Sequence, residues 1–234
     1  MAEKKVRKRV NRLPAEQRIA DIMVSARAVF TTKGYESALI SDIAERAGVV
    51  DGSIYRFFAN KRELLMRVIE DWYEKIILEE EERYYAVRGT WNRIRFIVFH
   101  HLQAIVREPA LTKLAFTELR ADPQYRQMRL YKLNQTYTRK VVELVREAID
   151  VGEFRSDVSP SLVRSMLYGC VEHSTWAFLR NEGNLDIDQT ADRIAEILYN
   201  GLVARHSEGD ILVLADRLEA ATTRLERLSG ANDA

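Results

Sequence analysis

Residues 40–61 read ISDIAERAGVVDGSIYRFFANK, and the spacing of their apolar residues decides the fold. Ile40, Ile43, Ala44 and Ala47 recur at i, i+3, i+4 and i+7, which puts one apolar stripe on a short helix. Gly48 follows where a helix needs a left-handed residue to stop. A second helix starts almost at once. Asp51 is expected as its N-cap, Ile54 and Phe58 fall four apart on the inward side, and Ser53, Tyr55 and Arg56 lie toward the other side. Two helices joined by a few residues that include a glycine make a helix-turn-helix, whose second helix enters the major groove of DNA.

Working outward, the flanking sequence predicts helices on both sides. Pro14 suits the first turn of a helix whose buried face is Ile19, Ile22, Met23, Ala26, Val29 and Phe30, and Gly34 ends it. Lys61 opens a long helix with Leu64, Leu65, Val68, Trp72 and Ile76 inward, ending beyond the acidic stretch 79–82. Further helices are expected over 91–108, 109–120, 123–151, 160–181, 188–206 and 210–228. With only four prolines and ten glycines and no alternating run, the fold class is all-α: an N-terminal three-helix DNA-binding unit joined by a long helix to a C-terminal ligand-binding and dimerisation bundle. The expected divisions are 1–14, a basic arm; 15–78, the helix-turn-helix unit; 79–208, the effector and dimer unit; and 209–234, a last helix and tail.

Between Leu162 and Phe178 the apolar residues circle the helix, so it should be covered on more than one side. Its own bundle covers one side and a second copy of the chain another, with Ile194, Ile197, Leu198, Gly201 and Leu202 of the next helix alongside; a homodimer is expected. In the last helix, Ile211, Leu214, Leu218, Ala221, Leu225 and Leu228 fall in a heptad-like stripe too short to separate pairing between subunits from docking on its own bundle.

A net charge of +1 argues against indiscriminate binding to polyanions, yet residues 1–18 hold seven basic side chains against two acidic ones, a tether for phosphates. No run reaches the roughly eighteen apolar residues of a membrane helix, and the basic N-terminus leads into no apolar signal segment, so a cytoplasmic protein without a membrane partner is expected. Cys170, the one cysteine, lies among apolar residues and is expected as a buried small hydrophobe.

Residues 18–76 resemble the DNA-binding domain of the TetR family of transcriptional regulators. The matching words are FxxxGY at Phe30, Gly34 and Tyr35, DIAxxAGV at Asp42 to Val49, and GSIYxxF at Gly52 to Phe58 with Lys61 after it. The resemblance implies that Tyr55 and Lys61 contact phosphates and that Gly52, Ser53 and Arg56 face the major groove. Arg56 can donate in bidentate fashion to guanine O6 and N7. Three departures mark where an operator preference would reside. Ala38 and Val50 replace hydroxyl residues common in the family, with Ser37, Ser41 or Asp51 as substitutes; Asp51 stands where a lysine is frequent; and Phe57 replaces a common histidine or tyrosine. The DNA-contact set is therefore Val50, Asp51, Gly52, Ser53, Tyr55, Arg56, Phe57 and Lys61.

The expected activity is that of a homodimeric repressor, not an enzyme, on a palindromic double-stranded operator with half-sites about 34–36 Å apart, released by a small apolar or aromatic effector. Phe96, Phe99, His100, Phe116, Tyr137, His173 and Trp176 are the candidates for the effector pocket. No cofactor and no metal are expected. The competing possibility is a metal-dependent enzyme or metal sensor built on His100, His101, Glu172 and His173. Adjacent helical residues diverge by about 100°, and no HExxH pattern is present. A helix-turn-helix used only for protein contacts is a third possibility.

Overall fold

Helix α1 (Ala15–Ser37) follows Pro14 and is interrupted at Gly34, whose φ of 76° and ψ of 172° lie outside the helical range. That backbone region is essentially closed to any residue with a Cβ. The computed structural model describes residues 14–204 together with 218, 219, 221 and 222. The basic arm and most of the heptad-like stripe expected over 210–228 lie outside the described residues. The break at Gly34 redirects the chain so that Ala38 enters the core fully buried, and α2 (Ile40–Ala47) can cross α1.

Gly48 takes φ 65°, and the N–H groups of Gly48 and Val49 return to the carbonyls of Glu45 and Ala44, which closes the C-terminus of α2. Helix α3 (Asp51–Ile54) starts three residues later. Two capping expectations are corrected. Val50 rather than Asp51 occupies the N-cap of α3, and no side chain caps it. At α2 neither Ser37 nor Ser41 serves: the Asp42 carboxylate accepts the Leu39 N–H at 3.1 Å and pairs with Lys33 at 2.8 Å. That places a negative charge in the first turn, where the helix dipole favours it.

Helix α4 (Lys61–Ala86) is capped by Asn60, whose side chain accepts from the Glu63 N–H. It runs unbroken through 78 and 79, so the expected division between units falls inside a helix and the first loop comes after Ala86. Helices α5 (Thr90–Arg107) and α6 (Pro109–Leu114) follow, then a π-helical turn at Ala115–Leu119 and a 3-10 turn at Tyr125–Gln127. Helices α7 (Arg129–Asp150), α8 (Pro160–Leu179) and α9 (Ile187–Leu202) complete the bundle. An antiparallel bridge between Phe154 and Val203 ties the end of α9 to the α7–α8 loop.

Two apolar cores result. The second joins α5, α7, α8 and α9 around Val98, Leu102, Val145, Leu167 and Val171. The first packs Phe30, Ile43, Ile54, Leu64 and Leu65, each worth about 1.5–3 kcal/mol of burial, but it also contains Leu111, Leu114, Ala115, Leu119 and Leu130. The helix-turn-helix unit is therefore completed by α6 and the π turn, which come after α5 in the chain.

Candidate nucleic-acid interface and effector chamber

Burial of Ile54 and Phe58 fixes which way α3 faces. The same rotation leaves Asp51, Gly52, Tyr55 and Arg56 exposed, with Ser53 at the edge. Val50 is 74% exposed and Tyr55 54%, so both side chains are free to contact a partner beside Arg56. Arg56 makes no hydrogen bond or ion pair among the described residues, so its five donors are available. Phe57 is half-buried against the first core.

Lys61 is placed differently from its neighbours. Its ammonium donates to the carbonyls of Tyr35 at 2.9 Å, Ala38 at 3.1 Å and Glu36 at 3.3 Å. It also sits 4.5 Å from the centre of the Tyr35 ring. Three bonds use the three donors an ammonium has. The residue therefore ties the end of α1 to the start of α4, closing the frame that holds α3.

Beside it, Arg62 donates to the Glu118 carbonyl at 3.2 Å and to the Asp122 carboxylate. Arg27 of α1 pairs with Glu108, and Arg129 of α7 with Glu70 and Glu74 of α4. Segment 115–122 is thus gripped from the DNA-binding side by Arg62 and by the burial of Ala115 and Leu119. The π turn ends in an i→i+5 bond from the Arg120 N–H to the Ala115 carbonyl at 2.9 Å. Such turns recur at functional sites.

Arg120 points the other way, into a chamber of about 350 Å³. Helix α8 contributes Arg164, Ser165, Tyr168 and Glu172, and α7 contributes Tyr131, Asn134, Gln135 and Thr138. Tyr73, His101 and Arg126 close it. The Arg120 Nη1 donates to Glu172 Oε2 at 2.8 Å. His101 is half-buried at the chamber wall, its Nδ1 hydrogen-bonded to the Tyr137 hydroxyl at 3.0 Å; burial, assisted by the Arg120 charge, pushes it down to about 3, so the ring is neutral. Burial likewise raises the Tyr73 phenol far above its ordinary value.

The seven candidates for the effector pocket, several of which were expected to share a cavity, fall into separate groups. Phe96, Phe99 and His100 cluster on α5, with the Phe96 and His100 ring centres 4.0 Å apart and Arg95 over Phe99. His100 lines a separate cleft of about 240 Å³ between α1, α4 and α5. Phe116 meets Trp176 at 5.9 Å. Tyr137 lies behind the chamber against His101 and Tyr168. His173 is exposed, because on α8 it follows Glu172 by about 100° and so leaves the chamber face.

The same rotation undoes the metal alternative. His101 is held by Tyr137, Glu172 by Arg120, and His100 and His173 lie on other faces. Among the described residues no group of three or more His, Cys, Asp and Glu is placed to hold a metal ion.

The circle of apolar residues on α8 resolves into two stripes. Val163, Leu167, Val171 and Leu179 are buried, whereas Leu162 is 58% and Met166 53% exposed, and Ile197 of α9 is 74% exposed. Cys170 belongs to the outer stripe and is exposed, which corrects the expectation of a buried thiol. Neither Arg120 nor its chamber was singled out from the sequence. The legible signal was a polar stripe on α8, Arg164, Tyr168 and Glu172 at successive i, i+4 positions between the apolar ones.

No helix among the described residues is long and apolar enough to cross a membrane. Residues 22–68 match the family described as bacterial regulatory proteins, tetR family, and residues 88–202 match a tetracyclin repressor-like C-terminal domain. The fatty acid metabolism regulator protein of Bacillus subtilis is 23% identical over 181 residues, covering 77% of this chain and 93% of that protein. The HTH-type transcriptional repressor KstR2 of Mycobacterium tuberculosis is 25% identical over 196 residues, covering 79% and 92%. The crystal structure of FadR from B. subtilis in complex with stearoyl-CoA superposes with a TM-score of 0.69 at 23% identity, covering 78% of this chain and 98% of that one. With both halves of the molecule matched in order, and an exposed second helix ahead of a helical bundle, this chain belongs to the TetR family of transcriptional regulators.

Proposed function

We propose that the chain is one subunit of a homodimeric repressor that binds a palindromic operator through α3 and releases it when a small effector enters the chamber beside Arg120. The observation that carries this is the double placement of segment 115–122. Ala115 and Leu119 complete the core under the helix-turn-helix, and the next residue, Arg120, lines the chamber. A ligand that favours one position of Arg120 over another acts directly on the packing that positions α3. Only such differential binding can shift the operator-competent state.

On the DNA side, Arg56 reads bases and Tyr55 sets register on phosphate, with Val50, Asp51, Gly52, Ser53 and Phe57 lining the contact. Lys61 supports α3 from behind. Two copies join across the outer stripe of α8 and α9, Leu162, Met166, Cys170 and Ile197, whose exposure in one subunit is the kind a partner covers. For the effector, the B. subtilis protein bound to stearoyl-CoA makes an acyl-CoA thioester the first compound to test.

The experiment is operator selection from random duplexes, followed by gel shift with and without stearoyl-CoA and other acyl-CoA thioesters. A palindromic consensus, and release by one such compound at a concentration near its Kd, is the expected result. Binding without sequence preference, or none, refutes the repressor.

A further inference from the structure

We infer that the effector carries an anionic group and that Arg120 recognises it by exchange, Glu172 being the carboxylate that occupies the anion's place in the free protein. This rests on the effector-responsive repressor proposed above and adds the chemistry the effector must bring.

Charge is the first observation. Three arginines, Arg120, Arg126 and Arg164, line the chamber against one carboxylate, and His101 adds no charge because it is held neutral. Arg126 and Arg164 make no ion pair among the described residues. Arg120 spends one bond on Glu172 while its guanidinium lies 5.1 Å from the Phe116 ring centre, which leaves most of a five-donor fork for another acceptor. A planar fork of this kind grips carboxylate and phosphate oxygens in pairs.

Unsatisfied polarity is the second. The Tyr125 hydroxyl, next to the chamber but not in its wall, is buried without a hydrogen-bond partner among the described residues, and its phenol feels both Arg120 and Glu172. Buried hydroxyls are almost always paired. With Asn134, Arg126 and Arg164 on the walls, an apolar group would leave their donors without an acceptor, whereas an anion with polar substituents pairs them. The apolar part of an amphiphilic effector therefore lies outside this chamber.

Exchange accounts for the arrangement. Arg120, whose side chain is about a third exposed, would lose a charge-assisted hydrogen bond if left here without a counter-charge. Substituting one anion for another keeps it paired throughout, and Glu172, about a quarter exposed, has solvent to receive it.

The two partners of one ion pair make opposite predictions, which a purely structural role does not. Full-length Arg120→Gln, Arg120→Lys and Glu172→Gln proteins are titrated calorimetrically with coenzyme A, decanoate and neutral methyl decanoate, with helical content checked by circular dichroism. Wild type is expected to bind coenzyme A or decanoate at least tenfold more tightly than methyl decanoate, and which of the two it binds tells phosphate from carboxylate recognition. Glu172→Gln should tighten that probe roughly tenfold, because the internal competitor is gone, and Arg120→Gln should weaken it by roughly ten- to hundredfold. Arg120→Lys, which keeps the charge but loses the fork, should fall between. Both variants weakening binding alike, methyl decanoate matching the acid, or no probe binding wild type overturns the exchange. A parallel gel shift with selected operator separates the two failures: sequence-dependent binding that persists leaves the repressor standing without this effector chemistry.

Discussion

Replacing Lys61 by methionine keeps an unbranched side chain out to Cε and removes the ammonium that joins α1 to α4. Three charge-assisted bonds are lost, at 2.9, 3.1 and 3.3 Å, the longest to the exposed Glu36 carbonyl. A bond to a charged group contributes about 1.5–3 kcal/mol, but one acceptor is solvated and up to about 2 kcal/mol of lysine side-chain entropy is recovered. Loss of the contact with the Tyr35 ring adds about 0.5–1 kcal/mol, for a net destabilisation of about 2–4 kcal/mol. For a chain of this size that is a fall in Tm of roughly 5–15 °C, read by differential scanning calorimetry. The second measurement is operator affinity across a salt series. An ammonium already saturated by carbonyls displaces no counterion, so the slope of log K on log salt should be unchanged even if affinity falls. A stable Lys61→Met protein whose slope drops by about 0.9 per subunit would show that the ammonium leaves the carbonyls for phosphate, and the structural role assigned to it would be wrong.

Other consequences are quicker to test. Arg56→Ala removes an unpaired, exposed side chain, so Tm should stay within about 1 °C while discrimination at one operator base pair falls by about 1–3 kcal/mol in competition gel shifts. Ile197→Glu puts a charge into the exposed stripe of α9 and should yield a monomer by sedimentation at micromolar concentration, with operator binding lost. His101 is neutral in the fold with its pKa lowered to about 3 from 6.5, so the unfolded chain binds the extra proton and stability falls as pH drops below about 6.5. The loss reaches up to about 2 kcal/mol at pH 5, and a His101→Gln protein should show a shallower decline of Tm between pH 7 and 5.

Much of the fold was legible because it depends on neighbours in sequence. Apolar residues at helical spacing defined α1, α2 and α4, Gly48 marked a left-handed stop that the backbone adopts at φ 65°, and Ile54 with Phe58 set the inward side of α3. The caps were less legible, since Ser37, Ser41 and Asp42 all lie near the start of α2 and only geometry shows that Asp42 serves there and that Asp51 does not cap α3.

What the amino-acid sequence determined by itself is the helical order, the helix-turn-helix and the family, all encoded by short periods and by linked words within about sixty residues. What only tertiary structure decided is where those helices meet. A residue one position along α8 turns by about 100°, so Glu172 enters the chamber while His173 faces outward, and no composition pattern tells them apart. The joining of Leu119 to the first core, of Lys61 to the end of α1 and of Arg120 to Glu172 spans 23 to 52 or more positions in sequence. Contacts at that range depend on how whole helices pack, which is why the Arg120 chamber emerged from the fold and the helix-turn-helix from the sequence.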